Sequence, residues 1–241
     1  MTGDLSRTLI VIPAFNEAGS VARVIADVRE ALPGAGCLVV DDGSRDATSD
    51  RARSAGAWVA RLPVNLGVGG AMRTGFRFAQ RHGFERVVQV DADGQHLPSE
   101  VPKLLAALDD ADVVIGARFA GTGEYRASGP RRWAMIMLAG VLSRVTGTRL
   151  TDATSGFRAV GPAGLAVFAE DFPAEYLGDT VEALVIASRA GCRIAQVPVR
   201  MEERAAGEPS QNAFRSTMYL ARVCLALGFA VARPQRKVFT S

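Results

Sequence analysis

Two carboxylates, Asp91 and Asp93, stand two residues apart at the end of the apolar run 86–91 (RVVQVD). Side chains along a strand alternate in direction, so residues two apart project to the same side. Two carboxylates at that spacing repel unless a cation sits between them. Hard oxygen donors suit Mg²⁺ or Mn²⁺, and both ions share their coordination readily with phosphates. Gln95 follows at the same spacing and offers a carbonyl oxygen, directly or from behind a ligand. The bland alternative is a solvated turn, because Asp-x-Asp-Gly is common in loops. The preceding strand and the polar ends of the other strands favour the metal.

A second acidic pair, Asp41 and Asp42, precedes Gly43 and Ser44. A carboxylate at a strand end can accept from a base N–H or a ribose hydroxyl. It can equally belong to the cap of the next helix, a task open to Ser44 or Asp46 as well. The stretch 65–75 (NLGVGGAMRTG) has glycines that let a ligand approach the backbone, and a helix start favours phosphate. As a dinucleotide fingerprint it is poor, because it does not follow the first strand. Arg118, Arg131, Arg132 and Arg204 are loop cations suited to bidentate phosphate contact, although any one of them alone reads as a surface residue. His82 and His96 show no paired ligand spacing, and His96 reads as a surface group or a support to the acidic motif. No serine, histidine and acid arrangement points to nucleophilic catalysis.

The elements that must position these groups alternate in the first half of the chain. Strands are expected over residues 8–13, 37–41, 57–62, 86–91 and 112–117. Helices are expected over 17–32, 44–54, 70–80 and 99–108, the last with Ser99 as N-cap. Apolar strands alternating with helices predict an α/β fold with a mostly parallel, Rossmann-like sheet covered on both faces. Ligands then bind at the carboxyl ends of the strands. The polar residues collect there: Asn16 and Glu17, Asp41 and Asp42, Asp91 and Asp93, and Arg118. In the second half a loop spans 121–132, an apolar helix 133–145, and a turn with a short strand 151–160. A helix over 182–190, a strand over 193–199 and a mobile polar loop over 202–212 follow.

The 241 residues suit one large domain over 1–213, with an apolar helix and basic tail over 214–241. Hydrophobic residues are 48% and charged residues 22%, as in an ordinary globular protein. A formal charge of +3 does not indicate nucleic acid. Three scattered cysteines suit a reducing compartment and no zinc cluster. The apolar start of the chain runs straight into Pro13, Asn16 and Glu17, which reads as a strand meeting a loop, not as a signal peptide. No stretch reaches roughly 18 uncharged apolar residues, so a membrane span is not expected. The reading is a cytoplasmic protein whose tail either closes the core or lies peripherally on an anionic membrane face.

The order VIPAFNEAGS (11–20), VVDDGSRDAT (39–48), NLGVGGAMRTGF (65–76), VVQVDADGQHLP (87–98) and VVIGARF (113–119) resembles family 2 glycosyltransferases. The segments DATSGFRAV (152–160) and VPVRMEERAAGEPS (197–210) resemble its polyprenyl-phosphate branch, typified by dolichol-phosphate mannose synthase. The resemblance implies a GT-A fold and an inverting, metal-dependent transfer from a GDP- or UDP-sugar to a polyprenyl phosphate. It implies that Pro13, Asn16, Glu17 and Asp42 line the nucleoside pocket, with Asn65 and Gly67 beside the donor. Asp91, Asp93 and Gln95 would hold Mg²⁺ or Mn²⁺ and the diphosphate. Arg118, Arg204 and Ser210 would bind phosphates, and Asp152 would lie near the reacting centre. Two other readings remain open: transfer to a soluble hydroxyl acceptor, with Asp152 as base, and a non-catalytic nucleotide-sugar-binding subunit of a membrane-protein partner.

Overall fold

The computed structural model describes residues 4–118, 130–152, 154–173 and 179–202. The chain runs through β1 (Thr8–Ala14), α1 (Val21–Ala31), β2 (Gly36–Asp41), α2 (Thr48–Ser54), β3 (Trp58–Arg61) and α3 (Gly67–Arg81). It continues with β4 (Arg86–Gln89), a 3₁₀ turn (Pro98–Glu100), α4 (Val101–Ala107), β5 (Val113–Ala117) and α5 (Pro130–Thr146). The last described elements are β6 (Arg158–Val160), α6 (Pro162–Glu170), α7 (Asp179–Arg189) and β7 (Ile194–Pro198). The strands form one sheet in the order β3-β2-β1-β4-β6-β5-β7. All pairs are parallel except those of β6, which runs antiparallel between β4 and β5. Among the described residues no helix is long and apolar enough to cross a membrane.

A strand buried on both faces must be apolar throughout, and β1 shows why. Leu9 and Val11 pack with Ala71, Met72, Phe76 and Ala79 of α3 on one face. Ile10 and Ile12 pack with Val21, Val24, Ile25 and Val28 of α1 on the other. Each such side chain contributes about 1.5–3 kcal/mol on burial. α6 abuts α3, where Phe76, Phe168 and Phe172 form an aromatic cluster with centroids 5.0–5.3 Å apart. Arg73 and Arg77 of α3 donate to the Glu170 and Ala169 carbonyls at the end of α6, which answers carbonyls left without intrahelical partners.

Pro13 lies in β1 opposite Val40 of β2. Its missing N–H would point the other way, toward β4, as the Val11 carbonyl does when it accepts the Val90 N–H. β4 has ended there, so proline removes a donor that would have no partner. The sheet therefore opens between β1 and β4, where the strand order reverses direction from its origin at β1. Ligands of open α/β sheets bind in that crevice.

Several elements differ from expectation. β4 stops at Gln89 because Asp91 turns its N–H to His96 Nδ1 (3.1 Å) and leaves the ladder. Asp91 and Asp93 thus sit on a loop, and strand alternation is not what brings them together. α2 starts at Thr48, since Ser44 is used in the turn before it, donating its N–H to Asp41 (2.8 Å). Ser99 lies within a 3₁₀ turn and is not an N-cap. α1 begins at Val21, α3 begins at Gly67, and residues 130–132 are helical. α6 was not expected at all. The tail 214–241 and most of the loop 202–212 lie outside the described residues.

Candidate functional site

A crevice of about 420 Å³ opens at the carboxyl ends of β1, β2 and β4. This is within the range of small-molecule sites. Of the residues expected at a site, Pro13, Glu17, Asp42, Asn65, Gly67, Asp91 and Asp93 line it. Phe15, Gln89, Thr154, Gly156 and Thr180 line it as well. A second, shallow groove beside α2 is bounded by Ala22, Asp50, Arg51, Ser54 and Ala55 and assembles no reactive set.

One wall of the crevice is built by one loop answering another. Asn16 adopts a left-handed backbone (φ 57°), which asparagine tolerates better than most residues. Its N–H donates to Ser44 Oγ (2.9 Å), and its Oδ1 accepts the Arg45 N–H (2.9 Å). The Glu17 N–H donates to Thr48 Oγ1 (2.9 Å), and Ser20 Oγ donates to the Glu17 carboxylate (2.7 Å). The loop after β1 is therefore pinned to the loop after β2. The Asn16 side chain is spent on that pinning, and Glu17 alone of the two faces the crevice.

Asp42 is buried to 4% exposure and reaches across to α3. Its two oxygens accept the N–H groups of Leu66 (2.7 Å) and Gly67 (2.8 Å). The first donors of α3 are thus met by the protein's own carboxylate, not left for a phosphate. Gly67 has φ 81°, a conformation that other L-residues adopt at a cost. Burial pushes the Asp42 carboxyl above its ordinary value; the two N–H bonds oppose the shift, and the Asp41 charge adds to it. Asp42 caps α3, the helix after next, whereas the sequence suggested a cap for α2.

The acidic loop forms the opposite wall. Asp93 is 9% exposed, and its Oδ1 accepts the Gln95 N–H (3.0 Å). The Asp91 side chain is 34% exposed, and its Oδ1 accepts from Gln89 Nε2 (3.0 Å). A Cβ on Gly156 would lie 2.9 Å from Gln89 Nε2 and 3.4–3.5 Å from the Asp91 oxygens. Glycine at 156 therefore leaves the space that the carboxylate and amide occupy. β6 explains its place: an antiparallel strand between β4 and β5 delivers its leading segment, Thr154 to Gly156, to the carboxyl edge of its neighbours.

This donor set fits a hard divalent cation. Two carboxylates share one wall, and among the described residues no group of three His, Cys, Asp or Glu forms a self-contained cage. Mg²⁺ and Mn²⁺ sites of this kind are completed by substrate phosphates and water.

The remaining expected residues are placed as follows. Gln95 offers backbone contacts, its N–H to Asp93 and its carbonyl to the Glu202 N–H (3.0 Å), and it does not line the crevice. Asp152 accepts the Thr154 N–H (3.3 Å) and hydroxyl (3.1 Å); Thr154 lines the crevice and Asp152 does not. Arg118 is exposed just beyond β5. Arg204 and Ser210 lie outside the described residues. Gln89 and Gly156 were missed as site residues. A lone amide inside the apolar run RVVQV was the available signal for Gln89, while the space at Gly156 depends on long-range pairing.

A family profile described as Glycosyl transferase family 2 matches residues 9–166. An undecaprenyl-phosphate mannosyltransferase of Micrococcus luteus is 36% identical over 214 residues, covering 86% of this chain and 88% of that protein. A polyprenol monophosphomannose synthase of Mycolicibacterium smegmatis is 36% identical over 161 residues, covering 64% and 61%. In fold, the chain is similar to glucosyl-3-phosphoglycerate synthase of Mycobacterium tuberculosis crystallised with Mn²⁺, UDP and phosphoglyceric acid. The TM-score is 0.68 at 24% identity, covering 95% of this chain and 79% of that one. The matched span runs from β1 past β6 and takes in both walls of the crevice, and with the identity to the Micrococcus protein it makes this chain a member of glycosyl transferase family 2.

Proposed function

We propose that this chain transfers a sugar from a GDP- or UDP-sugar to a polyprenyl phosphate, with inversion at the anomeric carbon. The observation that carries the reading is the meeting of Asp91 and Asp93 in one crevice at the switch point of the sheet. The names of the Micrococcus and Mycolicibacterium relatives support the lipid-phosphate acceptor. Asp91 and Asp93 hold Mg²⁺ or Mn²⁺, which when bound neutralises charge on the diphosphate. Glu17, Asp42 and the α3 start flank the nucleoside. Arg118, Arg204 and Ser210 are the residues proposed to bind phosphate oxygens of donor or acceptor.

An acceptor phosphate oxygen attacks C1 of the sugar while the C1–O bond to the diphosphate breaks. The electron pair of that bond leaves with the nucleoside diphosphate. The acceptor is already an anion, so no proton has to be removed at the attacking atom, and Asp152 acts by shaping the turn that presents Thr154. With a hydroxyl acceptor a carboxylate would have to take a proton, which is the chemical difference between this reading and transfer to a soluble acceptor. A lipid acceptor puts the reaction at a membrane face.

The test uses the purified 241-residue chain, Mn²⁺ or Mg²⁺, GDP-mannose or a UDP-sugar, and undecaprenyl phosphate in detergent. Sugar should appear in the lipid fraction. Asp91→Asn and Asp93→Asn should each lower turnover by about a hundred-fold or more. Near wild-type turnover in both variants would overturn the metal role, and transfer only to water-soluble acceptors would overturn the lipid one.

A further inference from the structure

His96 is 5% exposed and its ring stacks on Phe157, with centroids 4.7 Å apart and planes at 12°. Nδ1 accepts the Asp91 N–H at 3.1 Å. A nitrogen that accepts carries no proton, so the neutral ring has its N–H at Nε2. Nε2 lies 3.6 Å from Asp91 Oδ2. That is longer than a hydrogen bond and places the Nε2 donor beside the second oxygen of the carboxylate. On the other side, Oδ1 already accepts from Gln89 Nε2 at 3.0 Å. The His96 backbone is itself fastened by an antiparallel bridge to Met201, next to the Glu202 N–H that meets the Gln95 carbonyl.

We propose that Gln89 and His96 are positioning residues that hold Asp91 from two sides and aim its remaining lone pairs into the crevice. The inference rests on the metal reading above. Each carboxylate oxygen faces one neutral N–H donor and keeps a second lone pair for a cation. Neither donor carries a charge that would compete with that cation. The stack on Phe157 and the bridge to Met201 fix the imidazole, and the lack of a side chain at Gly156 leaves room for the Gln89 amide. Partners behind metal ligands of this kind typically change metal affinity by about 10–100-fold when removed.

The experiment titrates Mn²⁺ into the full chain by electron paramagnetic resonance, with GDP or UDP present. His96→Asn keeps an acceptor where Nδ1 stood and loses the Nε2 donor. Gln89→Met keeps length and burial and loses the amide. Each should weaken Mn²⁺ binding about ten-fold or more, with urea midpoints near wild type. Raising Mn²⁺ should restore turnover in both but not in Asp91→Asn. Mn²⁺ affinity within about two-fold of wild type in both variants, alongside loss of binding in Asp91→Asn, overturns the clamp and leaves the metal site standing. Unchanged binding in Asp91→Asn overturns the metal reading itself. Should His96→Asn fail to fold, the Mn²⁺ affinity of Gln89→Met alone separates these outcomes.

Discussion

Asp41 and Asp42 are neighbours with the same chemistry and opposite employment. Asp41 is fully buried and turned into its own loop, accepting from the Ser44 N–H (2.8 Å) and the Ser49 hydroxyl, with Arg61 Nε 3.8 Å away. Burial pushes its carboxyl up, but the bonds from Ser44 and Ser49 and the Arg61 charge outweigh that and hold it below 3.8. A carboxyl lowered by folding stabilises the native state above its unfolded value, and the contribution is lost as pH falls through the folded one. Asp41→Asn should therefore cost about 1–3 kcal/mol in urea unfolding at neutral pH. The gap to wild type should hold down to about pH 4 and narrow below 3.8. A gap that widens on acidification would contradict this placement. The pair was legible as a strand-end acidic site. The family resemblance picked Asp42 as the member at the pocket, whereas the spacing alone could not, because that depends on Leu66 and Gly67 arriving from another loop.

Among elements, α3 bears most directly on the site, since its start meets Asp42 and its body lies on β1. Gly75 is the point of closest approach: a Cβ there would stand 2.5 Å from Val11 Cγ1 and 3.0 Å from Cγ2. Gly75→Ala gains about 1 kcal/mol of helix propensity. It should nonetheless destabilise by a net ~1–3 kcal/mol, because overpacking forces helix and strand apart. The Gly75→Ala/Val11→Ala double variant should show a favourable coupling in a double-mutant cycle of urea midpoints. A stabilised single variant would mean that the helix has room to shift. The helical pattern of α3 was readable because one face is wet. α6 escaped the same reading: its run PAGLAVFAE is apolar nearly all round, and Gly164, Leu165, Phe168 and Ala169 are buried. Its exposed positions carry Pro162, Ala163 and Ala166, so no polar stripe marks the wet face and the period is hidden.

At the scale of the whole molecule, the crevice joins loops from both sides of the switch point, so a ligand there stabilises the native fold against the unfolded chain. A nucleoside diphosphate with Mn²⁺ at about a hundred times its Kd adds ~2.7 kcal/mol. For a chain of this size that raises Tm by roughly 5–10 °C. GDP and UDP compared with and without Mn²⁺ should show which base is accepted, and Asp91→Asn should abolish the cation-dependent part. Equal shifts with and without the cation would count against metal-assisted binding. The sequence by itself determined the alternation of strands and helices, the two-faced burial of the sheet and the gathering of acids at the strand ends. These follow from local periodicity and from the rule that apolar runs are buried. Only the tertiary structure decided that Asp91 and Asp93 meet on a loop, that β6 enters the sheet reversed, and that Gln89, Gly156 and His96 close around one carboxylate. The turn that brings Gln89, Asp91 and His96 together is short-range but has no periodic signature, and β6 with Gly156 reaches it only through long-range pairing that no local pattern encodes.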